Sequence, residues 1–184
     1  MRARATSLAR TAHRQTVHRV ISSRRATAHA RASHAMAMRF IDVGANMMDD
    51  MFRGMYRGKR AHDDDTGAVL ARARAVGVEK IIVTCGTLEE ARSGVEMVRE
   101  SRMINASIGP ELYATVGVHP TRAYAFRDDP EGTDAHVAKL LRVAEDGARD
   151  GAIVAIGECG LDYDRLEFCD AETQREAFAR HFEL

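Results

Sequence analysis

The chain has 184 residues, 45% apolar and 29% charged, which is the balance of a soluble globular protein and enough chain for one domain with a core. Its net charge of zero hides a split. Residues 1–39 hold nine arginines and no acid, so residues 40–184 carry 18 basic against 27 acidic side chains, a net of −9. That excludes a globally basic nucleic-acid binder: any polyanion held here needs a bound cation or a local basic patch.

Residues 1–38 are rich in Arg, Ala, Ser, Thr and His and read as a leader without fixed structure. Two readings stand. It is an organelle transit peptide, which would send the protein to a mitochondrion or plastid. Or it is sequence upstream of a start at Met36 or Met38, which would leave the protein in the cytoplasm or nucleus. From Arg39 strands and helices alternate. "RFIDVG" reads as a strand and Asp63–Val78 as an amphipathic helix with acids at its start and Gly77 near its end. Lys80–Gly86 reads as a strand, and Thr87–Ser101 as a helix opened by a capping box, Thr87 to Glu90. Leu112–Pro120 is a strand, Phe126–Gly132 a polar turn, and Thr133–Ala148 a helix. "AIVAIGECG" is a strand, and Ala171–Leu184 a helix capped by Asp170.

Four strand–helix units in alternation predict an α/β fold with a parallel sheet, its strands apolar enough to be buried on both faces. Four units are half of a (β/α)8 barrel, which takes about 250 residues. The expectation is either a small open sheet or the front half of a larger barrel. Cys85, Cys159 and Cys169 follow no CxxC spacing, which argues against a disulfide framework or a structural zinc site. No apolar run approaches a membrane span.

Sites in such folds form at the carboxyl ends of the strands. Those ends read Asp42-Val43-Gly44-Ala45-Asn46, Thr84-Cys85-Gly86, Gly117-Val118-His119-Pro120 and Gly157-Glu158-Cys159-Gly160-Leu161-Asp162. A Glu, a His, an Asp and an Asn together look like one rim of a site. A carboxylate after a buried strand is costly unless paired or coordinated, so Glu158 is a metal ligand, a general base or half of a buried ion pair. His119 is as readily structural as functional. Asp42 reads as a brace for the first turn, and Cys85 and Cys159 as small buried side chains rather than nucleophiles.

"FIDVGANMMDDMFRGMYRG", "GVHPTR" and "VAIGECGLDYDRLEFCDAETQREAFARHFEL" resemble the eukaryotic TatD-type deoxyribonucleases, TIM-barrel members of the metal-dependent hydrolase superfamily. The resemblance runs from about Arg39 to Leu184. It implies metal-dependent hydrolysis of DNA, working from an end, with one or two divalent ions, Mg2+ foremost. By it Glu158 is a metal ligand and His119 contacts the substrate phosphate or metal-bound water. The His-x-His pair of many members falls on Gly44 and Asn46, so Asn46 offers at best a carbonyl oxygen to the substrate side of the site. The family's remaining ligands, two histidines and an aspartate, come from later strands. The expectation is therefore a C-terminally truncated chain with weak metal binding and little activity. The alternatives are a non-catalytic half-barrel module, or a related hydrolase acting on another ester.

Overall fold

The computed structural model of the chain describes residues 38–104 and 109–184, and the leader, apart from Met38, lies outside them. Four parallel strands form one sheet: β1 (Phe40–Ala45), β4 (Val78–Val83), β5 (Glu111–Val116) and β6 (Ile153–Ile156), in that spatial order. Each strand pairs with the next one of the sheet in chain order, through Ile41↔Lys80, Ile81↔Leu112 and Thr115↔Ala155 among others. Winding always in one direction is what successive right-handed βα crossovers produce.

The helices are α1 (Thr66–Ala75), α2 (Leu88–Ile104), α3 (Ala125–Asp128), α4 (Thr133–Arg149) and α5 (Ala171–Arg180). α2 packs on β5, and α4 on β5, β6 and α2. The core lies between them and is built from Val83, Leu112, Ala114 and Val116 of the sheet with Val98 and Leu140 of the helices. Among the described residues no helix is long and apolar enough to cross a membrane.

Three expectations need correcting, and one element is added. The strands are not all buried: the central ones are mostly buried or half-buried, while β1 and most of β6 are exposed, Val43 at 69% and Val154 at 47%. These two strands are the edges of the sheet, so each lacks a neighbour on one side among the described residues. The helix expected over Asp63–Val78 is shorter, because Asp64 Oδ1 accepts from the Thr66 N–H (2.9 Å) and stops the chain outside the helix, while Gly77, at φ 99°, ends it. The segment Phe126–Gly132 is more than a polar turn. Phe126 is buried in α3, and Asp129 accepts from Lys139 (2.8 Å) and His136 Nδ1 (3.0 Å). Finally, a short antiparallel ribbon, β2 (Met55–Tyr56) and β3 (Lys59–Arg60), stands in the connection from β1 to α1. Two-residue strands are too short to show periodicity.

Candidate active site at the carboxyl ends of the strands

The strand ends are laced by backbone hydrogen bonds. The Thr84 N–H donates to Ala45 O (3.0 Å), His119 N–H to Gly86 O (3.0 Å) and Gly157 N–H to Val116 O (2.8 Å). The Glu158 N–H donates to Cys85 O (3.0 Å), so the end of β6 reaches past β5 to the end of β4. Gly117 allows this. A Cβ there would lie 2.6 Å from the Glu158 carbonyl oxygen and 2.8 Å from the Gly157 carbonyl carbon, closer than real Cβ atoms come.

The result is a cavity of about 400 Å3 lined by His119, Ile156, Glu158, Cys159, Leu161 and Asp162, among others. Glu158 is exposed. The burial cost that made it conspicuous in the sequence is therefore absent in these residues. Its neighbours Glu90 and Asp162 are paired with Arg122 (2.6 Å) and Arg165 (2.8 Å), whereas among the described residues no basic side chain pairs with Glu158. The ion-pair reading is not realised there.

His119 is half-buried, and its Nδ1 accepts from the Thr121 N–H (3.2 Å). An accepting Nδ1 is unprotonated, so the ring proton sits on Nε2. Thr121 Oγ1 also lies 2.7 Å from Nδ1. His119 thus presents an N–H donor, the form suited to a phosphate oxygen and not to a metal ion, which needs a lone pair.

Sequence reasoning missed the arrangement around Glu90. It does accept nothing from its own cap: the Glu90 N–H donates to Thr87 Oγ1 (3.0 Å), as a capping box requires, but the carboxylate reaches one residue further back, accepting from the Gly86 N–H (2.8 Å) and from Arg122 (2.6 Å). A point built as Cβ on Gly86 is 3.6 Å from Glu90 Oε2, 3.8 Å from Glu158 Oε2 and 3.1 Å from the His119 Cβ. Two carboxylates and the histidine thus meet over one glycine. The only signal in the sequence was an acid in the first turn after a strand end. Gln174 was also missed: fully buried on α5, it accepts from the Asp162 N–H (2.7 Å) and donates to Asp162 O (3.0 Å) and Cys169 O (2.8 Å), holding the loop behind Glu158.

Asn46 is exposed at the end of β1, on the far edge of the sheet, and does not line this cavity. Asp42 braces its own turn, accepting from the Gly44 N–H (3.1 Å). Burial pushes the Cys85 thiol up to about 12, so it stays protonated and inert. Among the described residues no group of three or more His, Cys, Asp or Glu side chains could hold a metal ion. Glu158 is one free carboxylate, and Glu90 and Asp162 are committed to arginines. These residues alone do not fit a metal site.

The family model "TatD related DNase" matches residues 41–184. The chain belongs to the TatD-related DNase family. It is 35% identical over 157 residues to a "Deoxyribonuclease Tat-D" of Schizosaccharomyces pombe, covering 85% of this chain and 48% of the relative. It is 31% identical over 143 residues to a "3'-5' ssDNA/RNA exonuclease TatD" of Cronobacter sakazakii, covering 78% and 43%. A solved TatD-family hydrolase of Entamoeba histolytica superposes with a TM-score of 0.68 at 37% identity, over 79% of this chain and 45% of that one. An amidohydrolase structure from Saccharomyces cerevisiae gives 0.72 at 29% identity, over 79% and 43%. The chain spans about half the length of the TatD relatives it matches.

Proposed function

We propose that this chain carries the Glu158–His119 part of a site that hydrolyses phosphodiester bonds of DNA from an end, with Mg2+ as the divalent metal. The observation that supports it is the cavity in which an N–H-donating imidazole and an unpaired carboxylate stand side by side. The His119 donor suits a phosphate oxygen. A bare carboxylate beside a phosphate is repulsive, so Glu158 fits the site only if a cation comes between them. A relative in Mycobacterium tuberculosis named "Uncharacterized metal-dependent hydrolase TatD" supports a divalent metal for the family. The described residues supply one donor to such an ion, so on their own they bind Mg2+ poorly and hydrolyse little.

A substrate panel tests the reading. Single-stranded DNA, RNA and D-aminoacyl-tRNA are offered to the protein isolated from its own cells, with Mg2+ present. Stepwise shortening of DNA is the expected result. Turnover of the aminoacyl ester with DNA left intact would move the protein to the related-ester reading. A second reading, a non-catalytic half-barrel that pairs with a partner, rests on the exposed apolar edges: Ile41 and Val43 on β1, Val154 and Ile156 on β6.

A further inference from the structure

We infer that the β2–β3 ribbon is a docking surface for the sugar-phosphate backbone of single-stranded DNA. The choice of DNA rests on the proposed function; the surface itself rests on the following. The connection from β1 leaves the carboxyl edge of the sheet, the same edge that carries His119 and Glu158. Neighbouring strands lie about 4.8 Å apart, so the end of β1 is roughly 10 Å from the end of β5, a span that a few nucleotides cover.

The ribbon is built, not a loose charged run. Arg57 (φ 50°) and Gly58 (φ 75°) both take positive φ, as the tightest hairpin turns require. Gly54 (φ 77°) closes the base, where a Cβ would lie 1.9 Å from the His62 carbonyl oxygen, and the Ala61 N–H donates to Gly54 O (2.8 Å). Tyr56 and Lys59 are directly opposed, so the phenol ring and the ammonium share one face of the ribbon. Tyr56 is 43% exposed and stands edge-on to His62.

Arg57, Lys59 and Arg60 are exposed and form no salt bridge among the described residues; Arg60, on the face opposite Lys59, donates to His62 O (3.4 Å) and its charge acts on Asp64. The arginines nearer the cavity, Arg122 and Arg165, are tied to Glu90 and Asp162. Of the three acids that follow the ribbon, Asp64 accepts from the Thr66 N–H (2.9 Å) and Asp65 pairs with Arg72 (3.9 Å), while Asp63 is exposed. In a region whose net charge is −9, this ribbon is the local basic patch that a polyanion needs. An aromatic ring beside it suits base stacking, which tolerates any sequence.

The test measures binding of a labelled oligodeoxythymidylate by the whole chain, without added metal, across a salt series. In the variant, Arg57→Asn keeps a residue that tolerates positive φ, and Lys59→Gln and Arg60→Gln remove the other two charges. The control, Arg74→Gln with Arg92→Gln and Arg142→Gln, removes as many exposed charges elsewhere. The ribbon variant should lower the slope of log K against log salt by roughly 2, at about 0.7 per lost phosphate contact. The control should keep most of the slope. Tyr56→Ala should weaken binding roughly fivefold or more at fixed salt. Equal loss in variant and control, or no binding by the unaltered chain, overturns the inference. DNA hydrolysis is read separately: binding through the ribbon without cutting removes the nuclease reading and keeps this one, and cutting with an indifferent ribbon does the reverse.

Discussion

Gly117 has no side chain because the backbone of Gly157 and Glu158 occupies the place where one would go. That contact sets Glu158 over the end of β4, where its N–H meets Cys85 O. Gly117→Ala should therefore cost about 1–3 kcal/mol, the range for forcing extra atoms into a packed site, and should displace Glu158. Urea denaturation checks it, and an unchanged midpoint would mean that the strand ends are free to part. Glu158 and His119 were legible as residue types because a titratable group at a strand end is unusual. Glu90 and Arg122 were not. Their ion pair joins the first turn of α2 to the short turn after β5, 32 residues apart, and nothing in either segment alone announces the other.

At the scale of the element, α5 and the turn that follows it set two polar braces, Gln174 and His181, seven residues apart. Gln174 holds the loop behind Glu158. His181 Nδ1–H donates to Ala177 O (2.8 Å), and its Nε2 accepts from the Val118 N–H (2.9 Å), next to His119. The Val118 bond needs the neutral ring, because a protonated Nε2 cannot accept. Burial lowers the His181 pKa below its ordinary 6.5, and the nearby His136 lowers it further, against the Ala177 bond, which raises it. A depressed histidine contributes stability that is present above the unfolded value of about 6.5 and lost as pH falls through the folded one. His181→Gln keeps a donor and an acceptor but cannot titrate. Its stability should fall less steeply than that of the unaltered protein as pH drops below about 6.5, measured by chemical denaturation at several pH values. Parallel curves would contradict a neutral His181. The helices and central strands were legible because their patterns are long. The β2–β3 ribbon and α3 were not, since two to four residues carry no period, and the exposed edges were misread because an apolar run looks the same whether or not a neighbour covers it.

For the whole molecule, the parallel sheet was legible from the alternation of strands and helices, and the four parallel strands of the structure bear it out. The open edges carry a consequence. Phe40, Ile41 and Val43 on one side, and Val154 and Ile156 on the other, are apolar and exposed beside sheet edges that no strand among the described residues pairs. The 184-residue chain should therefore associate as its concentration rises, with sedimentation velocity as the check. A single monomer species at all concentrations would show these edges to be inert. The same geometry leaves Glu158 without two further ligands among the described residues.

Glu158 is proposed to belong to a metal-dependent phosphodiesterase site. The most direct measurement is hydrolysis of end-labelled single-stranded DNA by the protein isolated from its own cells, with Mg2+ or with a chelator, beside Glu158→Gln expressed in the same cells. The expected result is Mg2+-dependent shortening of the strand, lost with the chelator and lowered roughly a hundredfold or more by Glu158→Gln. Hydrolysis that persists at full rate in the Glu158→Gln protein would contradict it.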